Sequence, residues 1–334
     1  MIHLRLSAIV SSLLLCLLFQ LRAEAASNDE FELNVPPRLS GRIVFSAQSG
    51  STESIFVLDL DGRRVRKLIG DSHHNSYPSW SPDGTKLAFA SDRDSDWEIY
   101  VSDFEGQDQL RLTNNPGIDD HPAFAHDRNQ IIYFSESADG KGTNIYTIVP
   151  PSTEPVRLTN LGGKNSTPQL SPDGTQISYS TSRFWPGWDI CLWDIKEQKE
   201  TCPLKGEQSF CRAQWSNSGE RLVYSFGFGN EIDLGILELK SGAKKSVTSM
   251  DGREYDASWS PSEDYLVFAA ENGERDRFKL FILELSSGKI SQLLSSRYSL
   301  RYPAWSAVTT MQLEARRMVQ AQRGEAKKPA LPEQ

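Results

Sequence analysis

The stretch 76-SYPSWSPDGTKLAFASDRDSDWEIYVSDFEGQDQLRLT-113 strings together an apolar triplet, a Pro-Asp-Gly turn, a β-rich pentad, an acidic loop and two further apolar runs. Its opening element recurs as PAFAHDR from Pro122, PQLSPDG from Pro168, AQWSNSG from Ala213, ASWSPSE from Ala257 and PAWSAV from Pro303. The central residues of these anchors, Trp80, Phe124, Leu170, Trp215, Trp259 and Trp305, are separated by steps of 44, 46, 45, 44 and 46 residues. A fixed period of this length marks a repeat architecture, so the stretch is one unit among several.

Five anchors are followed seven residues on by a pentad: LAFAS at Leu87, IIYFS at Ile131, ISYST at Ile177, LVYSF at Leu222 and LVFAA at Leu266. A further apolar strand begins near Ile99, Ile145, Ile190, Leu234 and Leu280, and a last one near Leu112, Leu158, Pro203, Val247 and Leu293. Four short strands per unit, joined by turn chemistry, make a propeller blade. Ahead of Trp80 lie three such segments, IVFSA from Ile43, IFVLDL from Ile55 and VRKLI from Val65, and after Leu293 only YPAWS follows. Joined, these ends complete one more unit. The fold predicted is all-β: a six-bladed β-propeller of twenty-four antiparallel strands, four per blade, closed by N- and C-terminal strands in one blade. Near-continuous apolar runs suit sheets covered on both faces. Pro203 is tolerable if its strand is a blade's outer edge, and the anchor tryptophans read as packing because every unit has an equivalent position.

The run WSPDGTKLAFASDRDSDWEIYVSDFEG followed by RLT resembles the WD-repeat-like blade of the TolB β-propeller family, and the resemblance extends over about residues 40–307. It implies a non-catalytic periplasmic protein that binds a peptidoglycan-associated lipoprotein, or another envelope protein of a Tol-Pal-type system, through the propeller. TolB proteins carry an α/β domain ahead of the propeller. Here only ASNDEFELNVPPRLS separates the expected leader from the first strand.

In a blade whose first strand lines the axis, the loops joining strands two and three share a face with the connections to the next blade. The interval from pentad to next strand, 12, 14, 13, 12 and 14 residues, is the one that varies, so this face carries the diversity that suits a binding surface. Residues three and four places before each anchor are expected to ring the channel mouth there. The partner-binding candidates among them are Tyr77, Asp120, His121, Thr167, Arg212, Tyr255, Asp256, Arg301 and Tyr302, accompanied by Ser76, Ser166 and Cys211. The loops STSRFWPGWD and SFGFGNEID add Phe184, Trp185, Trp188, Phe226 and Phe228, expected side by side as an aromatic contact.

His73, His74, Asp119, Asp120 and His121 offer imidazole and carboxylate on neighbouring connections, without the fixed spacing of a metal motif. No metal or other cofactor is expected, and no Gly-x-Ser-x-Gly elbow occurs. The catalytic alternative is a propeller hydrolase or lyase acting on a carbohydrate or lactone, with a metal in the axial mouth.

Residues 1–25, with Arg5 before an uncharged run from Leu6 to Gln20 and then Ala23-Glu24-Ala25, read as a cleavable secretory signal peptide. The run is shorter than the roughly 20 residues needed to span a bilayer. Residues 26–39 form an N-terminal arm, 40–307 the propeller, and 308–334 a polar tail, helical from about Thr310 to Gln322 and otherwise solvated. The formal charge of −8 disfavours nucleic acid as a partner. A monomer in the periplasm or outside the cell is expected. Beyond Cys16 the cysteines are Cys191, Cys202 and Cys211, which allow at most one bridge: Cys191 with Cys202, or Cys202 with Cys211, the alternative being that all stay reduced.

Overall fold

The computed structural model describes residues 30–125, 129–137, 140–184 and 186–325. The expected leader peptide and Trp185 lie outside them. A short strand, β1 (Phe31–Leu33), precedes the repeats. The three segments ahead of the first anchor are β2 (Arg42–Ser49), β3 (Thr52–Asp59) and β4 (Arg64–Ile69). The next units are β5 (Asn75–Trp80), β6 (Lys86–Ser91), β7 (Glu98–Asp103) and β8 (Leu110–Arg111), then β9 (Asp119–Phe124), β10 (Ile131–Glu136), β11 (Thr143–Ile148) and β12 (Val156–Arg157). They continue as β13 (Asn165–Leu170), β14 (Gln176–Thr181), β15 (Asp189–Asp194) and β16 (Lys199–Leu204), then β17 (Ser209–Trp215), β18 (Arg221–Phe228), β19 (Glu231–Glu238) and β20 (Lys244–Ser246). The last full unit is β21 (Glu254–Trp259), β22 (Tyr265–Ala270), β23 (Lys279–Glu284) and β24 (Lys289–Ser296), before β25 (Ser299–Ser306).

Strand β25 pairs antiparallel with β2, placing Trp305 opposite Ile43, and the sheet order is β25-β2-β3-β4. The ring is thus closed by both ends of the propeller, giving six blades. We count this as blade 1, with blades 2 to 6 following in chain order. Strand β1 is an addition to the expected twenty-four: it lies along β24 and makes blade 6 five-stranded, with Phe31 opposite Ser296. Its three residues carry too little pattern to announce a strand.

Six apolar clusters fill the spaces between neighbouring blades. One joins Ala88, Ile99 and Leu112 of blade 2 to Phe124, Ile131 and Tyr133 of blade 3. The cluster between blades 6 and 1 also takes in Phe31, Val35 and Leu39 of the arm. The tryptophan anchors belong to this scaffold. Trp215 Nε1 donates to Gln169 O (3.3 Å) and Trp259 Nε1 to Gln214 O (3.2 Å), each reaching the preceding blade. Arg42 of blade 1 stacks over Trp80 of blade 2 at 4.2 Å while its guanidinium donates to Gly84 O (2.8 Å) and Val308 O (3.0 Å), tying the closure together. The Pro-Asp-Gly turns have a local cause: Asp83 Oδ1 accepts from Ser81 Oγ (2.7 Å) and Thr85 N (3.1 Å), and Gly84 takes φ +68°. Cys191 and Cys202 are bridged across β15 and β16, whereas Cys211 is free. Strand β16, containing Pro203, is the outer edge of its blade.

The tail forms α1 (Thr310–Glu325). It is docked: Leu313 is buried with Trp80 and Phe104, Arg316 Nη1 donates to Asp83 O (3.1 Å), and Arg317 pairs with Glu105. Leu313 anchors the first turns, while residues 311, 312 and 314–319 stay exposed to solvent. Among the described residues no helix is long and apolar enough to cross a membrane.

Candidate functional site

Each innermost strand is interrupted at the same place. In β5 the pairing with β6 passes from Ser76–Ala90 to Ser79–Ala88, so Tyr77 and Pro78 together oppose Phe89. The same two-against-one bulge sets His121-Pro122 against Tyr133, Thr167-Pro168 against Tyr179, Arg212-Ala213 against Tyr224, Asp256-Ala257 against Phe268, and Tyr302-Pro303 against Phe45. A bulge leaves its extra residue out of the ladder, so the missing N–H of proline costs nothing there, and it re-aims a side chain. The first residue of each bulge has φ between +50° and +58°. For a residue bearing a Cβ this left-handed region costs roughly 1–2 kcal/mol. Six such residues converge on the channel axis.

Tyr77, His121, Thr167, Arg212, Asp256 and Tyr302 all line the mouth cavity, of about 110 Å³. The Tyr77 ring stacks on His121 (centroids 3.7 Å apart) and meets Tyr302 at 4.2 Å, with the two hydroxyls 3.4 Å apart. Burial, reinforced by Asp120 and Tyr302, raises the Tyr77 phenol well above its ordinary range. The opposite arc is ionic. Asp256 accepts from Arg212 Nη1 and from Arg301 Nε, the latter at 2.6 Å, and both guanidinium groups lie near the Tyr255 and Tyr302 rings. Burial opposes ionisation of Asp256, but the two arginines hold its carboxyl below the usual range.

The other mouth candidates stand back from this lining. Asp120 is buried and accepts from its neighbour's backbone, His121 N (2.6 Å). Arg301 lies behind Asp256, while Ser166, Cys211 and Tyr255 line a second cavity of about 320 Å³. The reason is the bulge: its first residue faces the axis, while the residue before it is still in the ladder. The second cavity shares His121, Thr167 and Arg212 with the mouth and continues past Trp188 and Phe226 between blades 4 and 5.

The expected aromatic cluster is divided. Trp188 and Phe226 line this groove and Phe228 is 49% exposed, but Phe184 packs back onto the core between blades 3 and 4, with Lys205 Nζ 3.4 Å above its ring. The cation covers the ring that was expected to face a partner. The five donors considered for a metal do not converge. Asp119 is bonded by Asn115 Nδ2 (3.3 Å), His73 Nδ1 lies 3.5 Å from Asp71, and His121 Nδ1 lies 3.4 Å from Asp120. Among the described residues the one group of three close donors is Cys191, Glu200 and Cys202, whose sulfurs form the disulfide.

Glu53 is a residue the repeat pattern missed. It sits at the start of β3, accepts from Ser76 Oγ (3.0 Å), and burial pushes its carboxyl up to about 7 against that bond and the nearby Arg301. The equivalent positions in the other units, Trp97, Thr143, Trp188, Ile232 and Phe278, are not acidic, so only contact geometry reveals it. The bulge-facing aromatics Phe45, Phe89, Tyr133, Tyr179, Tyr224 and Phe268 were readable as the third residue of every pentad.

The profile of the TolB beta propeller domain matches residues 32–202. The chain is 24% identical over 255 residues to dipeptidyl-peptidase 5 of Porphyromonas gingivalis, covering 72% of this chain and 36% of that one. It is 30% identical over 149 residues to a TolB homolog of Chlorobium luteolum, covering 42% and 32% respectively. It therefore spans about a third of the length of these relatives. Among solved structures, TolB from Acinetobacter baumannii superposes with a TM-score of 0.71 at 22% identity, over 81% of this chain and 68% of that chain.

Proposed function

We propose, from the premise that this chain belongs to the TolB β-propeller family, that it is a non-catalytic periplasmic adaptor whose channel mouth and adjoining groove hold a loop of an envelope protein, in the manner of a Tol-Pal-type complex. The observation that carries this reading is the set of six bulges that spend backbone strain to present Tyr77, His121, Thr167, Arg212, Asp256 and Tyr302 to one cavity. Strained positions of this kind accumulate where a surface has work to do. The groove beyond, with Trp188 and Phe226, adds apolar area of the sort that anchors a bound segment. A relative named as a Tol-Pal system protein, 34% identical over 90 residues, supports an envelope partner of that class, with a peptidoglycan-associated lipoprotein as the candidate.

The test is capture of cross-linked partners from envelope extracts, comparing wild type with Arg212→Gln and Tyr302→Ala. Loss of a specific partner with both variants supports the reading. The same partners at equal yield overturn it. The similarity to a dipeptidyl-peptidase favours a second reading, an enzymatic one. Release of chromophore from dipeptidyl substrates by the purified protein would establish it.

A further inference from the structure

The ionic arc of the mouth holds more donors than acceptors. Two guanidinium groups, Arg212 and Arg301, share the single carboxylate of Asp256. Among the described residues no other side-chain oxygen accepts from either, and Arg301 Nη2 is buried without a partner. Nearby carboxyl groups are already engaged: Asp120 with its neighbour's backbone N–H, Glu53 with the Ser76 hydroxyl. Arg212 is also fixed in place. Its guanidinium carbon lies 5.0 Å from the Tyr255 ring centroid and 5.5 Å from that of Tyr302, and its own N–H is tied to Ser180 Oγ (3.0 Å). An arginine held by aromatic faces and one carboxylate, with part of its fork unspent, is prepared to take a second carboxylate.

Arg212 further lines both cavities, the mouth and the groove leading to Trp188 and Phe226. A chain lying in the groove and entering the mouth passes Arg212 in its middle, not at its end. We propose that the partner segment is a peptide loop carrying an acidic side chain between apolar residues, the carboxylate taken by Arg212 beside the Thr167 hydroxyl and one flanking apolar group lodged over Trp188 and Phe226. This rests on the adaptor reading above and specifies the chemistry of its partner. Two guanidinium groups against one carboxylate leave this arc locally cationic in a chain of formal charge −8, so an acidic loop gains its attraction locally at Arg212.

The probes are three synthetic peptides, acetyl-Phe-Glu-Phe-amide, acetyl-Phe-Gln-Phe-amide and acetyl-Phe-Gln-Phe with a free C-terminal carboxylate, titrated by NMR against the protein at low salt. The glutamate peptide is expected to bind at least about tenfold tighter than the glutamine amide, with the ratio shrinking as salt is added. In Arg212→Gln the ratio should fall close to one. That variant leaves Asp256 paired with Arg301, and a single cooperative melt, lowered only by the lost Arg212 bond, confirms that the fold is intact. Trp188→Ala, at the groove, should weaken both amidated peptides alike and leave their ratio unchanged. Equal affinity of the glutamate and glutamine amides overturns the proposal, as does binding of neither, or tightest binding by the free-acid peptide. Partner capture that still depends on Arg212 and Tyr302 would then leave the adaptor reading standing without this chemistry.

Discussion

Replacing Asp256 separates the two roles of the ionic arc. Its side chain is 5% exposed and bonds both Arg212 and Arg301. Asp256→Asn leaves two guanidinium groups facing each other without a counter-charge, and removing one partner from a buried ion pair costs roughly 3–5 kcal/mol. The backbone contributes little to the difference, because asparagine tolerates the left-handed φ of +57°. Arg212→Met, by contrast, leaves Asp256 with Arg301. It forfeits one charge-assisted hydrogen bond, roughly 1.5–3 kcal/mol. Urea titration of the three proteins at pH 7 should therefore rank wild type above Arg212→Met above Asp256→Asn. The sign of the pH dependence is also fixed. A carboxyl held below its ordinary value supplies stability above the unfolded pKa, about 3.9, and loses it as pH falls through the folded value. The curves for wild type and Asp256→Asn should approach each other below about pH 4. Asp256→Asn proving no more damaging than Arg212→Met at pH 7 would refute the shared-carboxylate reasoning.

Trp259→Ala should destabilise by about 3–5 kcal/mol in the same assay, because it empties an inter-blade site and removes the bond to Gln214. Glu254, fully buried with its carboxyl pushed up to about 7 by burial, is neutral when the fold is most stable, so stability should decline as pH rises from 5 to 8. In Glu254→Gln calorimetry should find that decline reduced by up to roughly 3 kcal/mol. Reducing the Cys191–Cys202 bridge, whose cysteines are 11 residues apart, should cost about 3 kcal/mol, measured as a lower melting temperature with dithiothreitol.

Much of the fold is legible because the period is constant wherever strands must stay in register. The anchors, pentads and complementary ends locate the blades and closure, as the pairing of Trp305 with Ile43 shows. The bulge register can also be counted from the anchor, which places Tyr77, His121, Thr167, Arg212, Asp256 and Tyr302 in the mouth. Other features depend on contacts between distant segments. Phe184 is withdrawn by Lys205 from a different loop, and Glu53 reaches Ser76 across the boundary of blades 1 and 2. Strand β1 exists because Phe31 finds a gap beside Phe45 and Phe56, which no local pattern records.

The most direct measurement is photo-cross-linking in cells from one residue on each face, with a benzophenone amino acid at Thr167 in the mouth and at Thr175 on the exposed turn opposite. A discrete protein adduct from Thr167 with none from Thr175 is the predicted outcome. Adducts from Thr175 alone would place the working surface on the wrong side of the ring.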